Sequence, residues 1–157
     1  MEDKNVILLL WALPIALSLH VFEEFIFPGG LMQWMRAYKP DPKSAFYICV
    51  ENATGIVATL ALALRPTHIG LCIYAAIVAI MAANSASHIV GTIQKRRYCP
   101  GTISSIALLL PLFAVSYWYL LSAGKLDWLA VVVNVCIGVF FGFYIFGVNV
   151  RKAGDAA

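Results

Sequence analysis

His20, Glu23, Glu24, Glu51 and His88 carry side chains that hold protons and bind metals, and each stands in a stretch otherwise apolar enough to cross a membrane. An ionisable group in hydrocarbon costs about 2.5–3.5 kcal/mol on insertion scales. Five of them together are the mark of a buried site. Two imidazoles with carboxylates make the donor mixture of catalytic zinc and of non-haem iron, and Asn52 and Asn84 add amides to it. His20 lies three and four residues before Glu23 and Glu24, and Asn84 lies four before His88. On helices, those spacings gather the polar groups into one patch per helix.

The elements that must position these groups follow from composition. Of 157 residues, 62% are hydrophobic and 12% charged, with mean hydropathy +0.85, whereas a soluble domain carries about 25% charged residues. The chain therefore reads as an all-α polytopic membrane bundle, a single transmembrane domain over 1–157. Runs of about 20 apolar residues predict five spans, at about 5–27, 45–64, 69–92, 102–123 and 127–148. Turn chemistry joined to charge separates them: Pro28-Gly29-Gly30, Pro40-Asp41-Pro42, Arg65-Pro66, the segment from Lys95 to Gly101, and Gly124 to Asp127. Pro14 and Pro111 are candidate kinks. The first span lacks a small-residue cleavage pattern and carries glutamates near its end, so it reads as a retained helix. Segment 31–39 is short, aromatic and cationic and reads as an interfacial helix with Trp34 and Tyr38 at headgroup level.

Lys4, Arg65 and Lys125 fall on one side of such a bundle, and Arg36, Lys39, Lys43, Lys95, Arg96, Arg97, Arg151 and Lys152 on the other. The positive-inside rule then places the N-terminus outside and the C-terminus in the cytoplasm, in a plasma membrane of bacterial type. The net charge of +3 reflects this orientation and not nucleic-acid binding. In an up-down bundle the end of helix 1, the start of helix 2 and the end of helix 3 share the cytoplasmic leaflet. At 1.5 Å rise per residue, His20, Glu23, Glu24, Glu51, Asn52, Asn84 and His88 occupy one slab roughly 5–12 Å inside its boundary.

These residues carry a resemblance. His20-Val-Phe-Glu23-Glu24, Asn84-Ser-Ala-Ser-His88 and Tyr98-Cys-Pro100-Gly101 match the HxxEE, NxxxH and YxPG motifs, in order, of the HXXEE family of small integral membrane proteins, which the chain resembles from helix 1 to the start of helix 4. The resemblance implies a membrane enzyme, and it identifies the site better than the reaction.

The leading chemical reading is a single Zn-like divalent ion held by His20, His88 and a glutamate, Glu24 or Glu51, with an open position for water and a second glutamate as general base. Glu23, Glu24, Glu51, Asn84 and Tyr98 form the candidate catalytic set. A one-residue rotation of helix 1 exchanges Glu23 and Glu24, so spacing does not separate ligand from base. Asn52 and the Lys95-Arg96-Arg97 run are candidates for holding a lipid-like substrate or its anionic headgroup. Hydrolysis of an ester, amide or phosphoester is the expected reaction, and the surplus carboxylate leaves an iron centre open. The main competitor is metal-free: a protonated glutamate beside a base can isomerise or cyclise a sterol- or terpenoid-like substrate, and His20-x-x-x-Glu24 with Glu51 is similar in spacing to five-helix sterol isomerases. A glutamate intramembrane peptidase is weaker, because Pro28 stands where an arginine is expected. A proton or metal carrier would need polar residues through both leaflets, and Asn134 is the lone one deep in helix 5.

Other features read as packing. Asn134, Gly138 and Gly142 recur every four residues and form a close-packing face, within the subunit or across a homodimer. Cys49, Cys72, Cys99 and Cys136 lack ligand spacing. His68 reads as solvated, and Tyr117, Trp118, Tyr119 and Trp128 as an aromatic belt.

Overall fold

Residues 3–26, 30–36 and 43–150 are described by a computed structural model. They are helical nearly throughout: α1 (Lys4–Ile26), α2 (Gly30–Arg36), α3 (Lys43–Leu64), α4 (His68–Lys95), α5 (Thr102–Ser104), α6 (Leu110–Ser122) and α7 (Trp128–Val150). A π-helical segment, Ser105–Leu109, joins α5 to α6 without a break. Four stretches are long and apolar enough to cross a membrane: Lys4–Ile26, Tyr47–Leu64, His68–Lys95 and Thr102–Ser122. The described apolar part of α7, Trp128–Gly142, is shorter. Each of the five predicted apolar runs is helical, with ends within a few residues of those predicted, and four of them have the length and apolarity of a span. Pro28-Gly29, Tyr38, Lys39, Pro40-Asp41-Pro42, Arg151 and Lys152 lie outside the described residues.

Local chemistry sets the helix ends. Asp3 Oδ1 accepts from the backbone N–H of Asn5 at 3.1 Å, satisfying a donor that the first turn of α1 leaves over. Thr67 caps α4 the same way, its Oγ1 accepting from Gly70 N at 2.9 Å. Asp127 Oδ1 accepts from Ala130 N at 2.7 Å at the head of α7. α4 stops at Arg96, which adopts a left-handed conformation at φ 47°. Pro14 sits inside α1, where Ser18 Oγ donates to its carbonyl at 2.8 Å. Pro111 lies two residues beyond the π segment. There Leu110 N–H reaches back five residues to Ser105 O, a widened turn next to the residue whose ring would clash with the carbonyl four positions earlier in a regular helix.

α4 is the hub. Tyr74 Oη and Ser116 Oγ are 2.7 Å apart, and Tyr117 Oη donates to Ala75 O at 3.0 Å, which ties α4 to α6. On its other side α7 lies so close that a Cβ on Gly138 would stand 2.7 Å from the Ala79 carbonyl oxygen, and one on Gly142 would stand 2.9 Å from Ala83 Cβ. The predicted small-residue face is therefore filled within the subunit, and a homodimer would have to use another surface. α1 packs between α3 and the α5–α6 arm, and Leu10, Leu13, Leu71, Tyr74, Leu109 and Leu120 form the fully buried centre. Outward faces bear Leu8, Phe22, Ile69, Leu129 and Phe140, a surface suited to lipid.

One expectation needs correction here. Trp118 and Trp128 are exposed as a belt requires, but Tyr117 is buried and Tyr119 is bonded to Asp3 at 2.8 and 2.9 Å. Trp34 on α2, within the expected interfacial segment, rests its ring on Gly91 of α4, where a Cβ would meet it at 3.4 Å.

Candidate functional site

The final two turns of α1 place His20, Glu23 and Glu24 where α4 brings Asn84 and His88. His20 and Glu24, four residues apart, share a face. Glu24 Oε1 lies 3.3 Å from His20 Nε2 and 3.0 Å from His88 Nε2. Asn84 Nδ2 lies 3.3 Å from each of the same two nitrogens. The imidazole rings meet edge to face with centroids 5.1 Å apart. His20, Glu24 and His88 are buried, at 1%, 3% and 6% exposure, and Asn84 is half-buried. Among the described residues, these three are the set whose donor atoms could hold a metal ion.

The outer ring nitrogens decide what the inner ones present. His20 Nδ1 is 2.8 Å from Ser104 Oγ, and that hydroxyl donates its own proton to Gly101 O at 3.3 Å. His88 Nδ1 is 3.5 Å from Cys99 Sγ, whose proton is directed to Pro100 O at 3.7 Å. With serine and cysteine accepting from Nδ1–H, both imidazoles turn an Nε2 lone pair inward. Burial, with the carboxylates of Glu24 and Glu23 nearby, pushes the Cys99 thiol up to about 12, so it keeps its proton for this role. Glu24 Oε1 is an acceptor as well. A carboxylate oxygen 3.0 and 3.3 Å from two inward lone pairs, with all three atoms within 4.8 Å of one another, is repelled by them unless a cation or a proton stands among them. Two donors on a four-coordinate zinc-type ion, each about 2.0–2.1 Å from it, sit about 3.3 Å apart. The residues fit such an ion in donor type, in spacing and in the hydrogen bonds that hold each ring from behind.

Glu23, on the other face of α1, is committed elsewhere. Its Oε1 accepts from Gly101 N and Ile103 N at 3.0 Å each and from the Tyr98 hydroxyl, and its Oε2 accepts from Ser104 N at 2.6 Å. α5 begins at a glycine with no side-chain cap of its own, so a carboxylate from α1 satisfies the free amides of the fourth span. Tyr98 keeps its proton because burial and the Glu23 carboxylate push its phenol above the ordinary value. Gly101 has φ +98°, and a Cβ there would stand 2.8 Å from His88 Cε1 and 3.0 Å from His20 Cε1. Both its conformation and its closeness to the two rings require glycine.

The site keeps most of the expected residues and changes their roles. His20, Glu24, Asn84 and His88 meet, and Glu23 and Tyr98 join them as an anchor of the 98–104 segment. Glu51 does not take part: it is exposed on α3. Its neighbour Asn52 turns inward instead, Nδ2 donating to Glu24 Oε2 at 3.2 Å. One residue is about 100° of helix, enough to move a ligand candidate out of the site and a presumed substrate contact into its support. With Glu23 fully bonded and Glu51 outside, neither is a free general base. Lys95, Arg96 and Arg97 are exposed. Ser104 and Cys99, which fix the two tautomers, were not among the expected site residues. Their only sequence signal is proximity to the Tyr98–Gly101 motif.

A family model described as a protein of unknown function with HXXEE motif matches residues 11–119, and the chain belongs to that family. No curated protein and no solved structure matches it.

Proposed function

We propose that this HXXEE protein is an integral membrane enzyme in which His20, Glu24 and His88 hold one divalent, zinc-type ion, and that it hydrolyses a lipid-like substrate. The observation that carries the reading is the convergence of two imidazole nitrogens and a carboxylate oxygen within 4.8 Å of one another, the oxygen 3.0 and 3.3 Å from the two nitrogens, each oriented by a partner behind it. Such an ion, when bound, supplies a water acidic enough to attack at neutral pH. Buried sides of the set and an apolar exterior favour a substrate that arrives from lipid. In the same reading α7 is a fifth span, the N-terminus faces outward and the C-terminus lies in the cytoplasm, in a plasma membrane of bacterial type, with the whole chain acting as one domain.

Purified full-length chain should contain close to one equivalent of zinc or iron, lose it to chelators, and bind it less tightly as acid pH protonates the histidines. His20→Ala and His88→Ala should each abolish the stoichiometric metal. Protein that never takes up metal would instead favour proton sharing at Glu24, and with it an isomerase or cyclase whose activity ignores chelators. Labelling of single cysteines at positions 43 and 125 in intact cells should give opposite accessibility, and equal labelling would refute the orientation.

A further inference from the structure

Asn84 stands closer to the centre than a supporting residue needs to be. Its amide nitrogen is 3.3 Å from both inner histidine nitrogens, the separation expected between two ligands of one tetrahedral ion. As oriented, the amide N–H groups donate to the two Nε2 lone pairs. An ion on those lone pairs would remove both acceptors and set the N–H dipoles against a positive charge. Half a turn about the last side-chain bond exchanges the two amide atoms almost isosterically, and puts Oδ1, an acceptor, in that place.

On the reading that this site holds a metal, we propose that the side-chain oxygen of Asn84 is its fourth protein ligand, with the amide turned one way in the empty site and the other way in the loaded one. Neutral, and half-buried where the other three are buried, Asn84 is the ligand that water or substrate can displace. The expected open position is then closed at rest and opens where Asn84 yields.

Two substitutions separate the oxygen from the nitrogen. Asn84→Asp keeps an oxygen and loses both N–H donors, whereas Asn84→Ala loses oxygen and donors together. The full-length chain in detergent would be titrated with Zn2+ against a competing chelator, and with Co2+ followed by its visible absorption. If Oδ1 is the ligand, the N84D variant binds Zn2+ about 10-fold tighter or better, which is about 1.4 kcal/mol, and keeps the four-coordinate Co2+ bands. The N84A variant binds roughly 10- to 100-fold more weakly, and its Co2+ spectrum shifts as water takes the vacated position. If Asn84 serves only as a donor, N84D weakens binding and the proposal fails; it fails equally if N84A keeps the wild-type affinity and spectrum. Should N84A not fold, N84D decides alone. Wild-type protein that binds neither ion would overturn the metal reading itself, a result distinct from either of those.

Discussion

Glu23 and Glu24 are neighbours in sequence with opposite dependence on charge. Glu23 is surrounded by donors, three backbone N–H groups and a phenol, and hydrogen bonds to a charged group contribute about 1.5–3 kcal/mol each. Glu23→Gln turns one acceptor oxygen into a donor facing other donors, and should lower unfolding free energy by about 3 kcal/mol in a chemical denaturation series. Glu24 is surrounded by acceptors on one side. On the proposed metal reading, Glu24→Gln should abolish metal binding yet leave the metal-free protein at least as stable as wild type, because its new N–H can donate to a histidine Nε2. Equal destabilisation by the two substitutions would contradict the division of roles. The polar set itself was legible in the sequence, because charge is rare in this chain and its spacing is helical. The split between Glu23 and Glu24, and between Glu51 and Asn52, was not, since α1 and α3 are apolar almost all round and periodicity gives no phase for a single-residue choice.

Helix by helix, close approach is the main device, and it makes graded predictions. Gly138 faces the backbone of Ala79, whereas Gly142 faces chiefly a side-chain methyl, that of Ala83. Gly138→Ala should therefore cost more than Gly142→Ala, within the range of about 1–3 kcal/mol for overpacking. Gly55, with nothing within 4 Å of an added Cβ, should accept alanine without loss, and thermal unfolding in detergent orders the three. The end of the bundle remote from the site is joined by Asp3, which accepts from Tyr119 and lies 3.9 Å from Lys125 Nζ. The Tyr119 hydroxyl, and then the backbone N–H groups of Val6 and Asn5 and the Lys125 charge, hold its carboxyl below the ordinary value. A lowered carboxylate pKa stabilises the fold above the unfolded value of about 3.9 and ceases to do so as pH falls through the folded one. Asp3→Asn should flatten the acid limb of a stability-against-pH curve below about pH 4, and an unchanged limb would show that the contact does not couple to folding. Helix boundaries were legible from apolar length and turn residues. The π segment was not, because Ser105–Leu109 differs in no compositional way from the turns around it; only Pro111 hinted at irregularity.

At the scale of the molecule, the bundle is unevenly secured. α4 is bound on opposite sides by α6 and α7, and α1 is fixed to the fourth span by the Glu23 contacts. α3 rests chiefly on α1, meets α4 beside the connecting turn, where Leu62 faces Gly70, and packs Ile48 against the Leu31–Cys99 cluster. Tyr47, Val57 and Leu64 on α3 point outward, at 67%, 66% and 68% exposure. Asn52 to Glu24 is a polar link from it to the centre. Sequence alone ranked the spans as equals, because hydropathy measures a helix's affinity for lipid and not its grip on its neighbours. A wall fastened mainly along one edge is the part of a room that can serve as its door. Amide exchange should therefore run faster along α3 than along α4, and, on the proposed metal reading, a cysteine cross-link pinning α3 to α1 should leave metal content intact while slowing the passage of any hydrophobic molecule to the histidines. Uniform protection of the two helices would mean that the centre is reached from its aqueous end, past the 98–101 loop, and that the lateral route stays shut.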